Sequence, residues 1–214
     1  MSQRMGPICA RAGAAFAILI ASAVAGATTW KREATLVDLM SQSELILHGR
    51  VTNVADGFDG RGIPYTEVTL QVFDALKGEA GHQYTFRQFG LIHPRPLGDG
   101  RVNLMVTPPG WATFAKGEST IVFLRKSAAW TGLRTTAGLS QGKFTVDMAG
   151  AANRTNNAGL FRGVQVDASL LGDAQKRVFS TREGAVNARA FVSLVKQAVA
   201  EQWVEKGRMR NAQK

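Results

Sequence analysis

Cysteine is almost missing from this chain: of 214 residues only Cys9 is one, and it lies in the first ten. Beyond it there is no disulfide, no thiolate metal site and no cysteine nucleophile, so stability has to come from packing. Histidine is scarce too. His48, His82 and His93 are spread along the first half and never form an HxH or HExxH arrangement, which excludes the local zinc signatures. No glycine-rich phosphate loop or dinucleotide fingerprint occurs, and the residues imply no cofactor. Nor is there an uninterrupted apolar run of the about 20 residues needed to span ~30 Å of hydrocarbon.

What is present at the N-terminus is an address. Arg4 and Arg11 precede the apolar run Ala14-Ala-Phe-Ala-Ile-Leu-Ile-Ala21, and the small residues Ala25-Gly-Ala27 follow. A positive region, a short apolar region and an Ala-x-Ala site predict a secretory signal over residues 1–27, cleaved after Ala27, and a periplasmic or extracellular destination with no transmembrane segment in the mature chain. Cys9 precedes the apolar run, and no typical lipobox surrounds it. Removing Arg4 and Arg11 lowers the net charge from +10 to +8. An exported protein rarely meets nucleic acid, so the expected partner is a protein or an anionic envelope component. The basic cluster Lys206, Arg208, Arg210 and Lys214 also suits the end of a helix, where cations complement the dipole.

The rest of the chain changes period. Residues 35–41 read as a short helix with Leu36, Leu39 and Met40 on one side. From Leu45 to Val51 apolar and polar residues alternate, as they do from Tyr65 to Phe73 after a turn-rich Asp56 to Gly62. Alternation of this kind marks half-buried strands, and the two predict an antiparallel pair. A third strand is expected at 83–89 and a doubly covered one at Ile121-Val-Phe-Leu124. Weaker strands are expected at 133–136 and 143–147. Ser180-Thr-Arg-Glu183 has the spacing of a capping box and predicts the start of a terminal helix, with Phe191, Leu194, Val195, Ala198 and Gln202 on its apolar stripe. The fold class that follows is mainly β, a small antiparallel OB-like barrel or sandwich with a C-terminal amphipathic helix. Its expected organisation is a signal at 1–27, a barrel-like domain at 28–179, and a helix with basic tail at 180–214 packed on that domain.

Between the third and fourth strands lies an irregular stretch from Gly90 to Trp111. It holds Pro94, Pro96, Pro108 and Pro109, four of the six prolines, with His93, Arg95 and Trp111, and Val102 to Val106 reads as a short edge strand. Long loops in compact domains often bind, and prolines lower the entropy cost of doing so. His93, Arg95 and Trp111 are therefore the candidate binding residues. Other motifs point elsewhere. Gly138-Leu-Ser-Gln-Gly142 matches a nucleophile elbow, but a strand follows it and all three histidines precede it, so a hairpin turn is expected. Ser193 and Lys196 have serine–lysine spacing without a companion motif. Asp56 and Asp59 share a loop but lack the ligand series of a calcium site, leaving at most a weak cation site. Asn153-Arg-Thr155 is a glycosylation sequon.

Several of these segments occur in a familiar order. Ser43-Glu-Leu-Ile-Leu-His-Gly-Arg-Val51, Thr66-Glu-Val-Thr-Leu-Gln-Val72 leading to Leu76-Lys-Gly78, Phe114-Ala-Lys-Gly-Glu118 before Ile121, and Gln141-Gly-Lys-Phe144 together resemble a family of uncharacterised exported β-rich bacterial proteins. The same order is distantly similar to the netrin-type OB domains, including the tissue inhibitors of metalloproteinases. That resemblance implies a five-stranded barrel that binds proteins and has no catalysis of its own. Those inhibitors work through an N-terminal cysteine and disulfides, so their mechanism does not carry over to a chain without them.

Three functional readings follow. The leading one is a non-enzymatic exported binding module that uses the 90–111 loop. A second is a hydrolase whose site assembles His48, His93 and an acid such as Asp99. A third is a carbohydrate-binding barrel presenting aromatic rings from among Tyr65, Phe73, Trp111 and Trp130.

Overall fold

The computed structural model describes residues 33–147, 152–153 and 157–212. The expected signal at 1–27, Lys214 and the sequon, apart from the Asn153 backbone, lie outside them. The chain enters through helix α1, Leu36–Gln42, which Thr35 caps reciprocally with Asp38. The Thr35 hydroxyl accepts the Asp38 amide, and the Asp38 carboxylate accepts the Thr35 amide, each at 3.1 Å. This satisfies two of the amides a helix start leaves open. Leu36, Leu39 and Met40 are buried.

Two long strands follow, β1 (Leu45–Phe58) and β2 (Pro64–Lys77), then β3 (Gln83–Phe89). A two-residue ladder, β4 (Arg95–Pro96) with β5 (Val102–Asn103), interrupts them before β6 (Ser119–Leu124) and β7 (Lys143–Val146). Five of these make one antiparallel sheet in the order β3-β2-β1-β6-β7. The β1–β2 register shifts three times, at Ile46/Leu47, His48/Gly49 and Val51/Asn53. Such irregularities bend a ribbon and sharpen its twist. Gly49 sits at the second, where a methyl group would strike the Gln71 carbonyl, so only glycine lets the two backbones come this close.

Both faces of this sheet are apolar. Ile46, Leu76, Ile121, Phe123 and Phe144 pack with α1 and the C-terminal elements, and the Phe144 ring centroid lies 5.1 Å from that of Phe191. On the other face Leu45, Leu47, Val51, Val68, Leu70, Phe86, Val122 and Leu124 pack together, flanked by Tyr84 and Phe114. Every residue of β6 is buried, the apolar run Ile121 to Leu124 as its pattern requires and Ser119 and Thr120 with it. Each fully buried Leu, Ile or Phe contributes about 1.5–3 kcal/mol. The connection that follows β6 reaches the opposite edge of the sheet, where the Arg134 amide donates to the Arg87 carbonyl on β3 at 2.7 Å.

Several expected elements come out differently. Residues 133–136 form no strand; they contribute the single bridge Leu124↔Thr136, because the chain there leaves a turn closed from Ala128 to Leu133. The Gly138 to Gly142 segment is a turn of 3-10 helix, Leu139–Gly142, rather than a tight hairpin, since 18 residues separate β6 from β7. After a short β8 (Ala152–Asn153) and β9 (Val164–Val166) comes a helix the sequence reading missed, α2 (Asp173–Ser180). Ser180 therefore ends a helix instead of starting one, with its hydroxyl on the Arg177 carbonyl. The terminal helix begins after β10 (Val186–Asn187) as α3 (Ala188–Ala200), where the Asn187 side chain accepts the Ala190 amide at 2.9 Å. Phe191, Leu194, Val195 and Ala198 are buried along it, whereas Gln202, beyond its end, is exposed with φ +57°. Strand β11 (Met209–Asn211) pairs with β9, and its Asn211 side-chain Nδ2 donates to the Asp38 carboxylate of α1 at 2.9 Å.

Candidate functional site

The stretch from Gly90 to Trp111 leaves the sheet at the end of β3 and is held there by polar contacts. Gly90 donates to the Pro64 carbonyl at 3.0 Å, and the buried Thr66 hydroxyl donates to the Gly90 carbonyl at 2.7 Å. Its φ is +101°, and a methyl group there would collide with the Thr107 backbone, so both conformation and space demand glycine. Across the base the Leu91 amide donates to the Met105 carbonyl and the Thr107 amide to the Leu91 carbonyl, each at 2.9 Å, and Leu91 is fully buried. The buried Gln88 side chain donates to the Ala112 carbonyl at 3.0 Å and pins the exit.

The central anchor is Asp56, near the end of β1. Its carboxylate accepts the Ile92 amide at 2.8 Å and pairs with the Arg95 guanidinium, which in turn lies 5.6 Å from the Phe58 ring centroid. Beyond this anchor β4 and β5 pair Arg95 with Asn103 and Pro96 with Val102. Leu97 donates to the Arg101 carbonyl at the tip, where Asp99 accepts both the amide and the Nε of Arg101. The Arg101 side chain, and then its amide, hold Asp99 below the usual carboxylate range.

What this hairpin displays is apolar. Ile92, Leu97, Val102, Leu104 and Met105 are 42 to 72 % exposed, leaving only Phe73 and Trp130 among the other strongly exposed large apolar side chains of the described residues. Of the residues singled out from sequence, Arg95 is a strut of the hairpin, His93 is exposed on it, and Trp111 is half-buried at its exit. The five apolar side chains and Asp56 were missed. The available signal was the pair Leu104-Met105 between turn-forming residues, which a half-buried edge strand would not leave doubly exposed.

His48 stands elsewhere. It lies opposite Asp74 in the β1–β2 register, with its ring edge-on to Phe73 at 5.4 Å. Eight residues of strand separate it from Asp56, about 26 Å at ~3.3 Å per residue before bending. The fold thus places His48 along β1 and His93 on the hairpin, and Asp99 is committed to Arg101. Burial lowers the His48 pKa, opposed by the charge of Asp74. Asp74 is itself paired with Lys196 at 2.8 Å, so Lys196 serves an ion pair and not Ser193. Asp56 and Asp59 are likewise engaged by arginines, and among the described residues no group of three or more His, Cys, Asp or Glu is placed to hold a metal ion.

The β1–β2 turn and the turn at 128–132 meet beside the hairpin end of the sheet. Arg61 lies 4.7 Å from the Trp130 ring centroid, donates to the Trp130 carbonyl at 2.8 Å and pairs with Asp59. Arg87 lies 4.2 Å from the Tyr65 ring centroid and pairs with Glu67 at 2.7 Å. A cleft of about 420 Å³ opens here, lined by Glu67, Tyr84, Arg87, Ser127, Thr131 and Arg134 among others. No protein-family model matches the chain, and no curated protein matches it. Its function has to be argued from these surfaces. Among the described residues no helix is long and apolar enough to cross a membrane.

Proposed function

We propose that this chain is an exported binding module, built on an OB-like coiled sheet, that engages a protein partner through the hairpin at residues 91–106. One observation carries the reading: five large apolar side chains stand exposed on a single hairpin whose base is buried and hydrogen-bonded. Leaving them exposed to water serves no folding purpose, and large apolar side chains gathered in this way on one surface element mark interaction sites. A braced backbone lowers the ordering cost of association. The protein is favoured over an anionic membrane surface because both arginines of the hairpin already have carboxylate partners, Asp56 and Asp99. Such a tip offers little uncompensated positive charge and fits an apolar groove. Support for a barrel-like closure comes from the Arg134–Arg87 backbone bond, and for export from the N-terminal pattern of charge, apolar run and small residues.

The test compares the mature protein with Leu97→Asp/Leu104→Asp in pull-downs from the source's secreted and envelope fractions, followed by direct binding of the purified candidate. The expected result is one enriched protein whose affinity falls at least tenfold in the variant while its thermal midpoint holds. Undiminished binding by the folded variant overturns the assignment, and so does equal sedimentation of both proteins with anionic vesicles in place of any protein partner.

A further inference from the structure

The cleft between β2, β3 and the 125–134 segment has a composition different from that of the hairpin. Its walls carry donors and acceptors in pairs. Glu67 and Arg87 face each other across β2 and β3, Arg134 is paired with Glu44 at 3.0 Å, and Tyr84, Thr85, Ser127 and Thr131 add hydroxyl groups. Burial pushes the Tyr84 hydroxyl above its usual pKa, so it stays a donor. Trp130 belongs to the same turn as the lining residues Thr131 and Gly132, and its side chain is 72 % exposed. Arg61 braces that ring by stacking over it while bonding the Trp130 carbonyl. An exposed tryptophan held this way is costly for solubility and useful for stacking.

From this arrangement we infer that the cleft is a carbohydrate site, in which Trp130 stacks against the C–H face of a neutral pyranose and the Arg87–Glu67 pair binds its hydroxyls. A pyranose presents an apolar face with a rim of hydroxyls, each both donor and acceptor. A flat indole on the turn that supplies Thr131 and Gly132 to the cleft, with the Arg87–Glu67 pair on the cleft wall, offers a match to both features. Phosphate or sulfate fits less well: Arg61, Arg87 and Arg134 are each neutralised by a carboxylate, whereas anion sites need unpaired forks. The volume falls within the range of small-ligand clefts, about 300–1,000 Å³. This site does not depend on the hairpin reading, because none of its lining residues belongs to the hairpin.

The experiment is an NMR titration of the ¹⁵N-labelled mature protein with cellohexaose, chitohexaose and a sulfated heparin hexasaccharide in separate arms. The expected result is a saturable shift of the Trp130 indole N–H with at least one neutral oligosaccharide. Read instead from the backbone amide shifts of residues 125–134, Arg87→Ala and Trp130→Ala should each weaken binding at least tenfold, while Trp130→Phe retains part of it and Leu104→Asp leaves it unchanged. That last variant separates failure of this site from failure of the hairpin. The inference is overturned if no neutral oligosaccharide shifts Trp130, if only the sulfated one does, or if folded Arg87→Ala binds as tightly as the parent.

Discussion

Helix α3 and the 91–106 hairpin carry comparable apolar side chains and put them to opposite use. On α3, Phe191, Leu194, Val195 and Ala198 recur at helical spacing, so one face holds them all and the sheet covers it completely. On the hairpin, two short strands joined by glycines leave Ile92, Leu97, Val102, Leu104 and Met105 facing solvent. The difference lies in their surroundings: α3 has the Ile121, Phe123 and Phe144 face to cover, whereas the hairpin projects past the end of the sheet. Apolar content therefore stabilises in one region and is free to bind in the other.

That contrast is open to test. The largest stability loss is expected from Phe191→Ala, which removes a fully buried ring against Phe144 and should lower the unfolding free energy by about 3–5 kcal/mol in urea denaturation. Gly90→Ala should come next, at about 1–3 kcal/mol, since a side chain there meets both an unfavourable φ and the Thr107 backbone. Asp56→Ala leaves the Ile92 amide and the Arg95 guanidinium without their acceptor. It should cost about 1–2 kcal/mol and speed hydrogen exchange across 91–106 while the amides of β6 stay protected. Leu104→Asp should alter stability by no more than ~0.5 kcal/mol yet abolish partner binding. A large destabilisation there would show that the hairpin is structural after all.

A pH measurement probes the helix-covered region from another side. His48 is harder to protonate in the folded chain than in the unfolded one, chiefly because it is partly buried. The unfolded state then binds the proton first, so stability is full above the unfolded value of about 6.5 and is lost as pH falls towards the lower folded pKa. His48→Gln should flatten that part of the stability–pH curve, read from thermal midpoints between pH 7 and 5.

The regular elements were largely legible in the residues. Alternation between Leu45 and Val51 and between Tyr65 and Phe73 located β1 and β2, and Leu36, Leu39 and Met40 on one side located the short helix. Ser180-x-x-Glu183 misled because a capping motif is local chemistry that a helix end satisfies too: the Ser180 hydroxyl bonds back to Arg177. Helix α2 escaped notice because only Gln175 and Val178 of its eight residues are buried, too few to show a period. The candidate site was legible as a stretch but not as a surface. His93, Arg95 and Trp111 stood out by residue type, and Arg95 turned out to brace the backbone.

By itself the sequence determined the five strands of the main sheet and the buried stripe of α3, because each depends on residue type and near-neighbour spacing. Only the tertiary structure decided the rest. It joined Asp56 to Arg95 across 39 residues, Arg61 to Trp130 across 69, and Arg134 to Glu44 across 90. It also decided which apolar side chains met a covering surface and which did not. Exposure and long-range pairing are properties of the assembled sheet and its ends, and no local pattern in the chain encodes them.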